Sequence, residues 1–276
     1  LDEAHRKDTA CRKQALNEAD VAFLCLPDAA AVEAVELIEN PATVVIDTST
    51  AHRVSDGWVY GFAELDGRRE KIAGAKRIAN PGCHASGFLS LVTPLVEQGL
   101  IAKNEKLSCF SLTGYSGGGK KMIAEYEAAG RDALLDAPRL YGLTQSHKHL
   151  PEMQAYAHLA EPPVFCPIVA PYYAGMEVVV PLFGADKDAV CAAYRDYYRS
   201  GLVQFAGNAD EAGFVSAGKF AGRDDMQITV CGNAERLLLI SRFDNLGKGA
   251  SGAAIQNMNI VLGVAETTGL DLGGND

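Results

Sequence analysis

Cys83 is the residue whose type and setting are best suited to chemistry, and it ends the segment Asn80-Pro-Gly-Cys83. Pro81 fixes one φ angle and favours an extended residue before it, and Gly82 lets the backbone turn. The apolar pattern is then helical up to Gln98, so we expect the thiol in the first turn of a helix. Backbone N–H groups and the helix dipole favour a thiolate there. The segment predicts a nucleophilic cysteine; the alternative is an ordinary free cysteine buried after a turn.

Two histidines further along the chain offer a partner for this thiol. His147 and His149 precede Leu150-Pro151, where a helix is expected to begin because proline is favourable at a first helical position. Glu152 falls in the first turn of that helix and is placed to orient His149. Acyl transfer through a thiolate needs a nucleophile and a group that carries its proton. Two surface histidines are the alternative, and His-Lys-His lacks a third ligand at the spacing of a metal site.

Two glycine-rich loops could present backbone donors to a ligand. Gly117, Gly118 and Gly119 follow a predicted strand over residues 107–112, and Lys120 adds positive charge after them. Such a loop can bind an anion, although it is not a Walker A sequence and a flexible turn is the alternative. The second loop, residues 244–252, enters the closing helix and again places N–H groups at a helix start.

The elements that must position these residues divide into two kinds. Continuous apolar strands at Val21–Leu26 and Thr43–Asp47, separated by a helical pattern over Ala29–Glu39, indicate a doubly wound parallel sheet of the Rossmann type. Ligands of such sheets bind beyond the carboxyl ends of the strands. Those ends carry Pro27, Ser49 and Arg53. Later segments alternate in polarity and predict an α+β domain with a mostly antiparallel sheet.

The amino-acid composition limits the classes of protein to which this chain can belong. The chain has 276 residues, 48% hydrophobic and 22% charged, which is typical of a globular protein with one large or two ordinary domains. A formal net charge of −10 argues against a nucleic-acid partner, and no apolar run is long enough to span a membrane. Seven scattered cysteines without a C-x-x-C pair fit a reducing cytoplasm rather than a disulfide scaffold.

Four motifs in one order resemble those of a known family, the N-acetyl-γ-glutamyl-phosphate reductases in their shorter bacterial form. They are Asn80-Pro-Gly-Cys83, Gly114-Tyr-Ser-Gly-Gly-Gly-Lys120, His147-Lys-His149-x-Pro-Glu152 and Asp244-Asn-Leu-Gly-Lys-Gly-Ala-Ser-Gly252. The resemblance covers nearly the whole chain. It implies an NADP-dependent oxidoreductase of arginine biosynthesis that reduces an acyl phosphate to an aldehyde through a cysteine thioester.

The resemblance also implies an organisation and a set of site residues. The expected dinucleotide-binding domain is 1–82 with 246–276, and the expected catalytic and oligomerisation domain is 83–245. Cys83 matches the family's nucleophile, and His149 or His147 its acid/base; His149 is our choice. The expected partners are a small acyl phosphate and further copies of the chain, as a dimer or tetramer, with no nucleic acid, membrane or metal. We expect substrate contacts from Arg53, Ser86, Gly117, Gly118, Gly119, Lys120, His147 and Glu152, and cofactor contacts from Pro27, Ser49, Asn245, Gly247, Lys248 and Gly249.

The sequence departs from the family's pattern at two places. It opens at Leu1 without the strand and Gly-rich turn that hold the cofactor pyrophosphate, so about thirty residues are expected to be missing and NADP binding to be poor. His84 stands where the family more often has an aromatic residue, which places a third histidine near the thiol.

Three other functions remain open at this point. Aspartate-semialdehyde dehydrogenase performs the same chemistry on a shorter acyl phosphate. A Cys–His hydrolase or acyltransferase would need no nicotinamide. A catalytically inactive oligomerisation partner is the third.

Overall fold

The computed structural model describes residue 2 and residues 5–199 and 201–273. The chain divides into two compact units. The first comprises the residues up to Pro81 together with Ala253–Thr268, and the second comprises Gly82–Gly252 together with the residues from Gly269 onward.

A four-stranded parallel sheet forms the centre of the first unit, with strand order β1-β2-β4-β3. Its strands are β1 (Val21–Leu24), β2 (Val44–Asp47), β3 (Val59–Tyr60) and β4 (Arg77–Ala79). Every residue of β2 is buried, as the continuous apolar run predicts for a strand covered on both faces. Its helices are α1 (Thr9–Glu18), α2 (Asp28–Glu36), α3 (Arg68–Ala73) and most of α8 (Gly252–Leu262).

The second unit is built on a seven-stranded mixed sheet, with strand order β6-β7-β5-β8-β11-β10-β9. Its strands are β5 (Ser108–Gly114), β6 (Arg139–Leu140), β7 (Val164–Ala170), β8 (Met176–Phe183), β9 (Val203–Phe205), β10 (Met226–Gly232) and β11 (Arg236–Phe243). Four of its six strand pairings are antiparallel, while β5–β7 and β9–β10 are parallel. The predicted fold class, a parallel sheet domain and a mostly antiparallel one, is confirmed.

One face of the second sheet is covered by helices. The other face, which we call the open face, is exposed in part: Phe110 and Phe183 are exposed there, whereas Ile240 and Arg242 are buried. The helices are α4 (Cys83–Glu97), α5 (Gly119–Glu127), α6 (Leu150–Tyr156) and α7 (Lys187–Tyr197). Helix α4 is buried from His84 to Val96 and packs on β8 and β11. Strand β8 shows the resulting alternation, because every second side chain from Met176 to Leu182 is buried.

No helix in the described part of the chain is long and apolar enough to cross a membrane.

Candidate active site

Cys83 is the first residue of α4, as its sequence setting predicts, and its side chain is partly accessible. Gly82 occupies the N-cap position, and the Gly82 N–H donates to Oε2 of Glu152 at 3.1 Å. The Ser86 N–H closes the first helical turn on the Gly82 carbonyl at 2.8 Å. This arrangement leaves the thiol beside the N-terminal N–H groups and the positive end of a fifteen-residue helix.

The loop after β11 passes directly against Cys83. Residues Gly247–Ser251 form a π-helical turn that leads into α8. A Cβ placed on Gly249 would lie 2.9 Å from Cβ of Cys83 and 3.0 Å from the Asp244 carbonyl oxygen. The backbone at Gly249 therefore approaches Cys83 too closely to carry a side chain.

Packing also explains the other two glycines of this loop. Residues 247–252 have the spacing G-x-G-x-x-G, which is a dinucleotide fingerprint only after a strand in a βαβ unit. A Cβ on Gly247 would collide with the Arg223 carbonyl oxygen, and one on Gly252 with Oδ1 of Asp224. Contacts within the second unit therefore account for all three glycines.

Three histidine rings gather in the same unit as Cys83. The ring centroids of His147 and His149 lie 4.8 Å apart, and the His84 centroid lies 5.7 Å from His147 and 5.5 Å from His149. The His149 N–H donates to Nδ1 of His147 at 3.2 Å. Within the described residues, no group of three or more His, Cys, Asp or Glu side chains is arranged to hold a metal ion.

The segment that carries His147 and His149 is held in place by Gln145. Its side-chain amide donates to the Phe165 carbonyl at 2.7 Å and its carbonyl accepts the Phe165 N–H at 2.9 Å. The Phe165 ring in turn packs edge-on against His84 and His147, with centroids 5.3 Å and 5.1 Å away. Strand β7 thereby sets the position of the histidine cluster.

His84 is held differently from the other two histidines. Its Nδ1 lies 2.7 Å from Oγ of Ser111, and its Nε2 lies 2.7 Å from the Tyr141 hydroxyl. Burial, and then the neighbouring His147, lower the pKa of His84 to about 3, so its ring is neutral near pH 7. Burial, and then the charge of Cys83, raise the pKa of Tyr141 above its ordinary value. Tyr141 and Ser111 are site residues that sequence reasoning missed, because their link to His84 is a long-range contact without a local motif.

Several predicted substrate residues are already engaged within the second unit. The Ser86 hydroxyl is fully buried and donates to the Gly82 carbonyl. Glu152 is buried and accepts from the Gly82 N–H. Its orientation of His149 stays a prediction. Gly117 and Gly118 lie in a 3₁₀ turn, Tyr115–Gly118, and Gly119 begins α5 at a φ of +72°. The Lys120 side chain is exposed at the start of that helix.

The predicted cofactor residues of the second unit have structural partners. Asn245 accepts from the Gly175 N–H at 3.0 Å and donates to Oγ of Ser116 at 2.9 Å, which joins the end of β11 to the 3₁₀ turn. Lys248 is fully buried in the π-helical turn.

In the first unit, the strand ends carry a dense network of hydrogen bonds. Ser49 donates to Oδ2 of Asp47 at 2.7 Å, and Nδ1 of His52 lies 2.6 Å from the same oxygen. The Arg53 side chain is buried rather than solvent-facing, and it donates to the Asn80 and Thr48 carbonyls at 3.1 Å and 3.3 Å. Pro27 is exposed at the N-cap of α2.

Two family models match this architecture. One is described as "Semialdehyde dehydrogenase, NAD binding domain" and matches residues 2–75; the other is described as "Semialdehyde dehydrogenase, dimerisation domain" and matches residues 83–245. Among solved structures, aspartate semialdehyde dehydrogenase II from Vibrio cholerae aligns with a TM-score of 0.69 at 18% identity, over 90% of this chain and 81% of that one. At that identity the likeness shows the fold alone. The class is thus that of the semialdehyde dehydrogenases.

More similar relatives narrow the family. A protein of Mesorhizobium japonicum named "N-acetyl-gamma-glutamyl-phosphate reductase" is 45% identical over 273 residues, which is 94% of this chain and 88% of the relative. "N-acetyl-gamma-glutamyl-phosphate reductase 2" of a Nostoc species is 42% identical over 284 residues, or 96% of this chain and 88% of the relative. The chain therefore belongs to the semialdehyde dehydrogenase family and, within it, to the N-acetyl-γ-glutamyl-phosphate reductases.

Proposed function

We propose that this chain reduces N-acetyl-γ-glutamyl phosphate to N-acetylglutamate semialdehyde and phosphate with NADPH, as a step of arginine biosynthesis. The observation that carries the proposal is the partly accessible Cys83 thiol at the first residue of α4, in the unit that also holds the histidine cluster. The names of the relatives supply the substrate.

Cys83 performs the covalent chemistry. Its sulfur attacks the γ-carbonyl carbon, a carbon–sulfur bond forms, the bond from that carbon to the phosphate oxygen breaks, and phosphate leaves. The product is a thioester on Cys83. Backbone N–H groups at the start of α4 stabilise both the thiolate and the oxygen that gains charge during the attack.

We assign the role of proton carrier to His149. It takes the proton of the Cys83 thiol before attack. After reduction of the thioester carbon, the carbon–sulfur bond breaks, the aldehyde is released and the proton returns to the Cys83 sulfur. The His149 backbone N–H donates to Nδ1 of His147. A neutral His147 therefore carries its ring hydrogen on Nε2, which is its hydrogen-bond donor. His147 is therefore suited to hold an anionic substrate oxygen rather than to take a proton through Nδ1.

NADP as cofactor, rather than NAD, is part of the proposal. The exposed apolar surface of Leu26 and Pro27, beyond the carboxyl end of β1, fits the face of a flat ring, and the Ser49 loop lies beyond the end of the neighbouring strand. When bound, the cofactor supplies the hydride that turns the thioester into the aldehyde. Pro27 and Ser49 are the residues of the first unit that we propose to hold it.

Anionic groups of the substrate need fixed donors. We assign phosphate to Gly117, Gly118, Gly119 and Lys120, because α5 has no acidic residue in its first turn and Lys120 is exposed there. Arg53 is assigned to the substrate as well, although two of its donors hold the Asn80 and Thr48 carbonyls. Ser86 of α4 and Glu152 of α6 both act through the peptide groups of Gly82, the N-cap residue of α4.

The open face of the second sheet supports a homo-oligomer. Phe110 on β5, Leu238 on β11 and Phe183 on β8 are 42%, 42% and 78% exposed, although they lie on three central strands. A large exposed apolar patch marks an interaction surface, and the matching family model describes a dimerisation domain. We propose that two copies pair through this face.

The test follows acylation and turnover separately. Incubation with N-acetyl-γ-glutamyl phosphate should release phosphate and add one N-acetylglutamyl group to the Cys83 peptide in mass spectra, without any nicotinamide. NADPH should then be oxidised in proportion to aldehyde formed. Cys83→Ser should abolish both, because a hydroxyl is a far weaker nucleophile than a thiolate.

Cys231→Ser is the matched control, because Cys231 is a free, partly exposed cysteine on β10. It should behave as the unaltered chain. Acylation of a folded Cys83→Ser variant, or of a cysteine other than Cys83, would contradict the covalent mechanism. Acylation without NADPH oxidation would contradict the reductase assignment alone.

A further inference from the structure

The side chain of Asp47 gathers three hydrogen-bond donors at the carboxyl end of β2. Asp47 is fully buried, its Oδ1 accepts from the Ser49 N–H at 2.9 Å, and its Oδ2 accepts from Oγ of Ser49 at 2.7 Å. Nδ1 of His52 lies 2.6 Å from the same Oδ2. A carboxylate only accepts hydrogen bonds, so Nδ1 of His52 carries the hydrogen and donates it. This bond joins the end of the strand to the loop that follows it.

Two further contacts hold His52. Its ring stacks on Trp58, with the ring centroids 4.0 Å apart and the planes 13° from parallel. Its backbone carbonyl accepts from the Ser55 N–H at 3.2 Å, so the chain turns directly after it. The edge of the ring, the face of the ring and the backbone of His52 are thus each held by a different partner.

Arg53 is the next residue after His52 and belongs to the same loop. It is 7% exposed; its Nε donates to the Asn80 carbonyl at 3.1 Å and its Nη2 to the Thr48 carbonyl at 3.3 Å. The Asn80 N–H in turn donates to the Asp47 carbonyl at 2.7 Å. The conformation of this loop therefore sets where the Arg53 guanidinium lies at the carboxyl ends of β2 and β4.

We propose that Asp47 and His52 are positioning residues that hold Arg53 in place for an anionic group of the substrate. The hydrogen bond from His52 to Asp47 closes the loop between them, and the closed loop keeps the guanidinium on its two carbonyls. The proposal rests on the proposed function for the role of Arg53 in substrate binding, whereas the positioning itself requires no substrate. Asp47 and His52 act through Arg53 and not on the reacting atoms.

The position of Arg53 is tested by its reaction with phenylglyoxal, followed on the Arg53 peptide by mass spectrometry without any substrate. Phenylglyoxal modifies accessible guanidinium groups, so the buried Arg53 should react slowly in the unaltered chain. His52→Phe keeps a ring against Trp58 and removes the donor to Asp47. It should accelerate the reaction about tenfold or more, because loss of a hydrogen bond to a charged group raises the population of the open loop by such a factor.

His52→Asn is the matched variant, because its side-chain amide can place an N–H close to the position of Nδ1 but has no ring to stack. Its Arg53 should react within about threefold of the unaltered rate. Asp47→Asn weakens the same bond from its other side and should accelerate the reaction, which keeps the proposal testable if His52→Phe does not fold. The buried Arg242 is the internal control, because it should stay protected in every folded variant. An unchanged Arg53 rate in a folded His52→Phe or Asp47→Asn variant, or a faster reaction in His52→Asn than in His52→Phe, would overturn the proposal.

Steady-state kinetics test whether this positioning serves the substrate. His52→Phe should raise KM for the acyl phosphate about tenfold and change kcat and the KM for NADPH by less than about threefold, because the loss lies in substrate binding. In the Arg53→Lys background, the same substitution should change KM by less than about twofold, because the planar fork that the loop holds is already gone. Additive effects on KM would overturn positioning through Arg53. An unchanged KM in Arg53→Lys alone would instead overturn the substrate role of Arg53 in the proposed function, and the phenylglyoxal result would stand.

Discussion

The chemistry of three neighbouring histidines differs because their hydrogen-bond partners differ. His84 has both ring nitrogens engaged and is fully enclosed, which keeps it neutral and excludes it as the proton carrier. Nδ1 of His147 accepts a hydrogen bond from the His149 backbone N–H, so this atom is not available to take a proton from the thiol. These contacts support our proposal that His149 is the proton carrier of the group.

His149→Asn should lower kcat by about 10²–10⁴-fold, because removing a positioned general acid/base typically costs that much. His147→Asn should raise KM for the acyl phosphate more than it lowers kcat. Both constants are measured in steady-state NADPH oxidation. His158→Asn is the control, since the His158 side chain is exposed and its Nε2 lies 3.4 Å from Oε1 of Glu97, away from the histidine cluster's contacts. A larger kcat loss in His147→Asn than in His149→Asn would exchange the two roles.

At the scale of the elements, the site depends on how closely a turn and a helix approach. The π-helical turn Gly247–Ser251 packs against the first residue of α4, and this approach requires a glycine at 249. Such turns are rare and often occur at functional sites. Gly249 thus sets how closely this turn approaches Cys83.

Gly249→Ala should destabilise the chain by about 1–3 kcal/mol, because the new methyl group forces the turn away from Cβ of Cys83 and the Asp244 carbonyl. It should also change the alkylation rate of Cys83. Urea unfolding and alkylation with iodoacetamide, followed on the Cys83 peptide by mass spectrometry, measure the two effects. Gly207→Ala is the control, because a Cβ there meets nothing within 4 Å and its φ is not in the left-handed region. Equal behaviour of the two variants would contradict the packing argument.

Local pattern is enough for some elements and not for others. The apolar run Thr43–Asp47 and the segment Asn80-Pro-Gly-Cys83 predict β2 and the start of α4, and both are found within a residue. A period of two does not encode the partner of a strand, so the parallel pairing of β5 with β7 was not predictable. The bond between His84 and Tyr141 joins residues 57 positions apart and has no sequence signal. Ser49 is a predicted cofactor contact at a strand end. Its hydroxyl donates to Asp47 and the neighbouring Thr48 hydroxyl donates to the Leu24 carbonyl, and neither bond has a local sequence signal.

At the scale of the whole molecule, we propose that the two faces of the second sheet serve different functions. Buried residues of β8 alternate with residues that face away from α4, and Val179 and Phe110 lie opposite each other on the open side. The histidine cluster packs against Phe165, which is buried on β7. Chemistry and assembly are thereby assigned to opposite faces of one sheet, and a change on the open face should leave the thiol unaffected.

Phe110→Glu should convert the oligomer to a monomer. Burying a phenylalanine contributes about 1.5–3 kcal/mol, and a paired interface through this face would contain the substituted residue twice and bury an unpaired charge at each copy. Sedimentation velocity over a range of concentrations measures the result. Leu134→Glu is the control, because Leu134 is 71% exposed in a 3₁₀ turn outside the sheet. The alkylation rate of Cys83 should match that of the unaltered chain in both variants. A Phe110→Glu variant that sediments like the unaltered protein would place the interface elsewhere.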